Sequence, residues 1–182
     1  MTVTGHRSDE ELARACRAGD EAAWGLLVER FSRYVHAIAC RAYRLSDDDA
    51  EEVFQEVFAR AYEHLDRLRC DAAIRPWLGQ LTRRLAIDRI RRTGREQLSE
   101  ASLELIEERA SRELEQIELA LDVREAMAEL SDDCQEILDR FFARDETYRE
   151  IAAALDIPIG TVASRISRCL TKLRGALADP GE

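Results

Sequence analysis

The sequence predicts an all-α protein: two small helical domains joined by a charged linker. Three observations carry that expectation. Ala, Leu, Glu and Arg abound, while the 182 residues include 3 Pro and 8 Gly, a composition that favours helix throughout. Apolar residues recur at three-to-four spacing over most of the chain, as one face of a helix requires. Capping and stopping residues stand where those periodic runs begin and end. The length suits one domain or two small ones, and an apolar fraction of 46% can build real cores.

The elements follow in order. Ser8 with Glu11 makes a capping box that opens a short helix to Ala18. Gly19 suits its stop, and Asp20 can cap a second helix with Ala23, Trp24, Leu27, Val28, Phe31, Val35, Ile38, Ala39 and Ala42 as its apolar stripe. Ser46 or Asp47 caps a third, with acids in its first turn and Val53, Val57, Phe58, Ala61, Tyr62 and Leu65 inward. After a loop at 66–71, a fourth helix runs from about Ala72 to Arg92 on Ile74, Trp77, Leu78, Leu81, Leu85 and Ile90. These helices make one bundle over residues 8–94. Residues 95–118 are highly charged and read as a linker with helical tendency. A second unit over 119–177 begins with a helix carrying Leu121, Val123, Met127 and Leu130. Ser131 caps the next, with Cys134, Ile137, Leu138, Phe141 and Phe142.

Charge is uneven. Residues 46–64 carry net −6, residues 66–95 net +6, residues 96–139 net −12 and residues 159–174 net +4 with no acid at all, within a chain of −10. Two basic blocks flanking an acidic one suggest two DNA contacts on one chain. No run of eighteen apolar residues exists and the N-terminus lacks an apolar signal core, so a cytoplasmic protein without membrane insertion is expected. The five cysteines (Cys16, Cys40, Cys70, Cys134, Cys169) form no Cys-x-x-Cys pair and no Cys/His cluster. Zinc has little support, and five reduced thiols are expected, several packed as small hydrophobes. There is no Gly-rich phosphate loop, no nucleophile–base pair and no catalytic metal pattern, so neither an enzyme nor a cofactor is expected.

The segment from Tyr148 to Ile166 reads as helix, tight turn, helix. Ile151, Ala152 and Leu155 pack the first helix, and Pro158 fits the first turn of the second. Ile159, Val162, Ile166, Leu170 and Leu173 form the second helix's core stripe. Thr161, Ser164, Arg165, Ser167, Arg168, Thr171 and Lys172 fall largely outside it. Hydroxyls and guanidinium groups on one helix face suit a DNA groove.

The run Ile151-Ala152-x-x-Leu155-x-Ile157-Pro158-x-Gly160-Thr161-Val162-x-Ser164-Arg165 closely resembles region 4 of bacterial RNA polymerase sigma factors of the extracytoplasmic-function (ECF) type. Asp49-Ala50-Glu51-Glu52-Val53-x-Gln55-Glu56-Val57-Phe58, and Trp77-Leu78 followed by Asp88-Arg89-Ile90-Arg91-Arg92, resemble their region 2. The resemblance covers about residues 8–175. It implies core RNA polymerase (clamp and flap regions), promoter DNA and an anti-sigma factor as partners. It assigns Glu52, Gln55, Glu56 and Phe58 to the clamp, although Phe58 also fits the core. Arg84, Arg91, Arg92 and Arg95 fall to the minus-ten element as phosphate anchors. Arg69 and Asp71 fall to the loop that captures a flipped non-template base. Thr161, Ser164, Arg165, Ser167, Arg168 and Lys172 fall to the minus-thirty-five element. Family members often carry Asn at the position of Arg84, Arg or Lys at Ala163 and a larger residue at Ser167. Small residues at the last two positions imply more reliance on DNA shape and backbone. A stand-alone helix-turn-helix regulator and a sigma-like interaction adaptor remain as alternative readings.

Overall fold

The structure is a computed structural model, which describes residues 7–93 and 99–178. Its helices are α1 (Asp9–Arg17), α2 (Glu21–Ala37), α3 (Asp47–His64), α4 (Ile74–Thr93), α5 (Glu100–Ala128), α6 (Asp132–Leu138), α7 (Tyr148–Ala154) and α8 (Ile159–Ala178). No strand occurs among the described residues. The chain divides into two compact units, 1–117 and 118–182.

In the first unit α1 to α4 pack as a bundle. The Ser8 hydroxyl accepts from Glu11 N–H while the Glu11 carboxylate accepts from Ser8 N–H, so the capping box forms. Asp20 accepts from Ala23 N–H at 3.1 Å and Ser46 from Asp49 N–H at 3.3 Å. Gly19, at φ +88°, turns the chain between α1 and α2 in the left-handed region where a Cβ is disfavoured. The core joins Leu12, Leu27, Phe31, Tyr34, Val35, Ile38, Val57, Ile74, Leu78 and Leu85. Thr82 is fully buried, its hydroxyl donating to the Leu78 carbonyl at 2.7 Å, which satisfies a group that would otherwise be costly there. Trp77, Leu81 and Ile90 are half-buried. The loop before α4 contains short 3₁₀ turns at Leu65–Arg67 and Asp71–Ala73, so the α-helix proper starts at Ile74.

Residues 100–128 form one continuous helix, where a linker with helical tendency was expected over 95–118. The stretch contains no Gly or Pro and is rich in strong helix formers. Its first part is tied to the bundle. Arg109 donates to the Ala42 carbonyl at 3.3 Å, and Glu107 pairs with Arg83 at 3.4 Å.

The second unit packs Ile137, Leu138, Ile151, Val162 and Ile166 against Met127, Leu130, Phe141, Leu155, Leu170 and Leu173. Two sequence expectations change here. Ile159, placed on the core stripe, is 53% exposed, because it opens α8 before the helix turns onto the core. Cys134 and Cys169, expected as thiols, are joined in a disulfide between α6 and α8 with Cα atoms 5.4 Å apart. The fold brings together positions 35 residues apart, which spacing along the chain could not show. Cys16, Cys40 and Cys70 are free.

The two units share a local device. In each, a helix widens into a π turn (Ile38–Ala42, Asp139–Ala143) and then passes through a left-handed residue (Arg44 at φ 53°, Asp145 at φ 55°). It re-enters helix behind a hydroxyl cap, Ser46 or Thr147.

Candidate nucleic-acid interface

The helix-turn-helix is α7, a turn, and α8. Thr147 caps α7 in a second capping box with Glu150, whose carboxyl is held below its usual range by the hydrogen bonds from the Thr147 hydroxyl and N–H. The T-x-x-E pattern signals this box in the sequence. After Leu155 the chain turns through Asp156 at φ 50°, and Ile157 N–H donates to the Ala152 carbonyl at 3.0 Å. Pro158 then accepts from Thr161 N–H at 2.8 Å as α8 starts. Val162, Ile166 and Cys169 are buried, which fixes the helix roll. The opposite side presents Ser164, Ser167, Arg168 and Lys172 exposed, with Thr161 and Arg165 half-buried at its flanks.

Two hydroxyls on that face are locally engaged. Ser164 donates to the Thr161 carbonyl at 2.9 Å and Thr171 to the Ser167 carbonyl at 3.0 Å, leaving their oxygens free to accept. Arg168 Nε reaches back to the Ser164 carbonyl at 3.4 Å, leaving the end of its guanidinium for a ligand. No ion pair involves Arg165, Arg168 or Lys172 among the described residues, so this face keeps its charge.

In the first unit the arginines of α4 divide into two groups. Arg75 pairs with Asp9 at 3.5 Å, Arg83 with Glu107, and Arg89 with Asp49 at 2.6 Å and with Glu52. The Arg89 hydrogen bond is the main reason that the Asp49 carboxyl lies below its usual range. Arg84, Arg91 and Arg92 are exposed and hold no ion pair among the described residues. Arg95 lies outside the described residues. In the loop, Arg69 and Cys70 are exposed. Asp71, expected as a base contact, is instead turned inward. Its side chain is 14% exposed and stands 2.6 Å from Arg17 and 3.7 Å from Arg14 on α1, because the carboxylate completes a charge pair across the loop.

The face of α3 expected to meet a partner is exposed at Glu52, Gln55 and Glu56. Each is locally held: Glu52 by Arg89, Gln55 by Glu51 at 2.9 Å, and Glu56 by Arg60 at 2.6 Å. Phe58 is not part of that face. At 7% exposure its ring lies edge-on to Trp24 and Phe54 in the core, as its place on the apolar stripe requires. Sequence reasoning missed Arg17, Arg14 and Arg89 as organisers of these surfaces. Their partners lie far along the chain, Arg89 with Asp49, Arg17 with Leu68 and Arg14 with Asp71, and no local pattern marks them.

The surfaces correspond to two known regions. The Sigma-70 region 2 family model matches residues 27–96 and the Sigma-70 region 4 model residues 126–175. The ECF RNA polymerase sigma-E factor of Escherichia coli is 30% identical, with 88% of this chain and 90% of that one covered. The chain belongs to the ECF sigma factors. The ECF RNA polymerase sigma factor SigM of Mycobacterium tuberculosis is also 30% identical, over 92% of this sigma factor and 83% of that one. The probable RNA polymerase sigma factor RfaY of Xanthomonas campestris is 32% identical, over 88% of this chain but 42% of its own length. The region 2 match thus runs from within α2 to the end of α4, and the region 4 match from the end of α5 into the last turn of α8, while α1 precedes both. No helix among the described residues is long and apolar enough to cross a membrane.

Proposed function

We propose that this sigma factor acts in the cytoplasm, without catalysis of its own, by binding core RNA polymerase and gripping a promoter at two elements. The observation that carries this reading is the pair of un-neutralised basic surfaces, one on each unit, in a chain that is acidic overall. Arg84, Arg91 and Arg92, followed by Arg95, anchor phosphates at the minus-ten element, with Arg69 in the loop beside the melted strand. Arg165, Arg168 and Lys172 hold the minus-thirty-five element. Thr161, Ser164 and Ser167 approach its base edges, Ser164 mainly as an acceptor because its proton is given to the Thr161 carbonyl. Glu52, Gln55 and Glu56 offer an acidic and amide face to the polymerase clamp, and region 4 meets the flap. An anti-sigma factor covering these surfaces would hold the protein inactive.

Run-off transcription with core polymerase on a promoter template tests the reading. The wild-type chain should give promoter-dependent initiation. Arg168→Ala and Arg165→Ala should each weaken promoter binding, and each should flatten its dependence on salt by about one phosphate contact. DNA binding by the chain without polymerase, with no initiation in its presence, would instead favour a stand-alone regulator. Unchanged promoter affinity in both variants would remove α8 from the DNA interface.

A further inference from the structure

The loop between α3 and α4 is held in shape by a helix that lies outside the region 2 match. Arg17 ends α1, and its Nη2 donates to the Leu68 carbonyl at 2.7 Å. The same nitrogen stands 2.6 Å from Asp71 Oδ1, an ion pair whose geometry is not that of an aligned hydrogen bond. Arg14 adds its charge at 3.7 Å from Asp71 Oδ2. Leu68 is 5% exposed. One guanidinium therefore fixes the chain on both sides of Arg69 and Cys70, which project to solvent between the two anchored residues. The other end of α1 is fastened as well. Asp9 pairs with Arg30 at 3.0 Å and with Arg75 at 3.5 Å, and Leu12 and Ala13 are buried. With α1 fixed to the bundle, Arg17 acts as a strut of set length.

We propose that Arg17 is a positioning residue for promoter reading: through Leu68 and Asp71 it fixes the loop so that Arg69 meets the non-template strand in one geometry. The inference rests on the functional reading above and gives α1 a part in it. Arg17 does not itself read DNA, because its guanidinium is taken up by the loop. Asp71 is the second half of the strut rather than a base contact. Both contacts come from one nitrogen at the far end of the flat guanidinium, so lysine, with a shorter side chain and no planar group to hold that nitrogen in place, should substitute poorly.

The test uses the full chain with core polymerase. Open-complex formation is measured on promoters varied at each minus-ten non-template base, both as duplexes and as templates already unpaired there. Arg17→Gln should lower discrimination at one or more of these positions by about ten-fold, the size of one lost base contact, on both kinds of template. Affinity for the minus-thirty-five element should stay unchanged. Asp71→Asn, which keeps the side-chain volume, should give the same loss, and Arg17→Lys should recover only part of it. The double variant Arg17→Gln/Arg69→Ala should match Arg69→Ala alone, since Arg17 acts through Arg69. Wild-type base discrimination in an actively transcribing Arg17→Gln or Asp71→Asn protein would overturn the inference, as would additive effects in the double variant. If the wild-type chain itself gives no promoter-dependent initiation, the functional reading fails and this inference with it.

Discussion

Reduction of the Cys134–Cys169 disulfide should cost the second unit most of its stability and leave the first untouched. The bond closes a loop across a sequence separation of 35. Closing a loop of that length in the unfolded chain removes entropy equivalent to about 4 kcal/mol at 25 °C in the chain-entropy treatment. The unit is small, 118–182, and domains of this size are only marginally stable, so the loss is comparable to what holds it folded. For 60–100 residues, each kcal/mol moves the midpoint by about 4–8 °C, so the second unit should melt roughly 15–30 °C lower when reduced. Both tryptophans, Trp24 and Trp77, lie in the first unit. Tryptophan fluorescence therefore follows that unit alone, while far-ultraviolet circular dichroism follows both. Oxidised and reduced protein should share the fluorescence transition and differ in the dichroism transition. A Cys134→Ala/Cys169→Ala variant should melt like the reduced protein and ignore reductant. Thiol titration of the unfolded oxidised chain should count three free cysteines, rising to five after reduction. Superimposable dichroism melts with and without reductant, in protein shown to carry the bond, would refute the argument.

Three further outcomes follow from local geometry. The Asp49 carboxyl is held below its ordinary range chiefly by the hydrogen bond from Arg89, so the contact stabilises the first unit at and above that range. It is lost as pH falls through the depressed folded value, so Asp49→Asn should flatten the acid side of a denaturant-midpoint profile read by tryptophan fluorescence. At Gly79 an added Cβ would stand 2.5 Å from the Tyr34 hydroxyl oxygen, and Tyr34 is 1% exposed with little room to yield. Gly79→Ala should therefore cost about 1–3 kcal/mol, checked by equilibrium unfolding. Asp156 turns the helix-turn-helix at φ 50°, where Asp is tolerated and a β-branched residue is not. Asp156→Val should destabilise the second unit by about 1–2 kcal/mol, while Asp156→Gly should leave its melting point equal or higher.

Much of the fold was legible because its signals are local. Ser8 with Glu11, Asp20 and Ser46 each start a helix where the capping chemistry places them. On α8, Val162 and Ile166 face inward as the apolar spacing requires. The T-x-x-E box at Thr147 is a signal of the same local kind and starts α7. Continuous helix through 100–128 was also available from composition. High charge suggested a linker, but with no Gly or Pro to break it the run of helix formers prevails. What was not legible joins distant positions: the cysteines of α6 and α8, Arg17 with the 68–71 loop, and Arg89 with Asp49 forty residues away. No periodicity links such pairs, because tertiary packing alone makes them neighbours.

The same limit explains how the fold sorts its arginines. Counted along the chain, residues 66–95 are one basic block of net +6. On a helix of about 100° per residue, Arg84 and Arg91 lie within roughly 20° of each other, and Arg92 lies roughly 80° round from Arg84, at the edge of the same side. Arg75, Arg83 and Arg89 spread over the opposite side. Carboxylates from three other helices meet that opposite side: Asp9 from α1, Asp49 and Glu52 from α3, and Glu107 from α5. The inner arginines thus hold the bundle together and contribute little field to a ligand, whereas the outer ones keep their charge. This division also gives the acidic first turn of α3 a structural task. Asp49 and Glu52 bind Arg89 and so hold α3 against α4, leaving Gln55 and Glu56, one turn further on, as the part of that face least committed to the fold. A charge reversal at Glu56 would disturb only its (i, i+4) pair with Arg60, while reversal at Asp49 would set a like charge against Arg89 where α3 meets α4. The two acids therefore should not be pooled when the α3 face is probed for a partner.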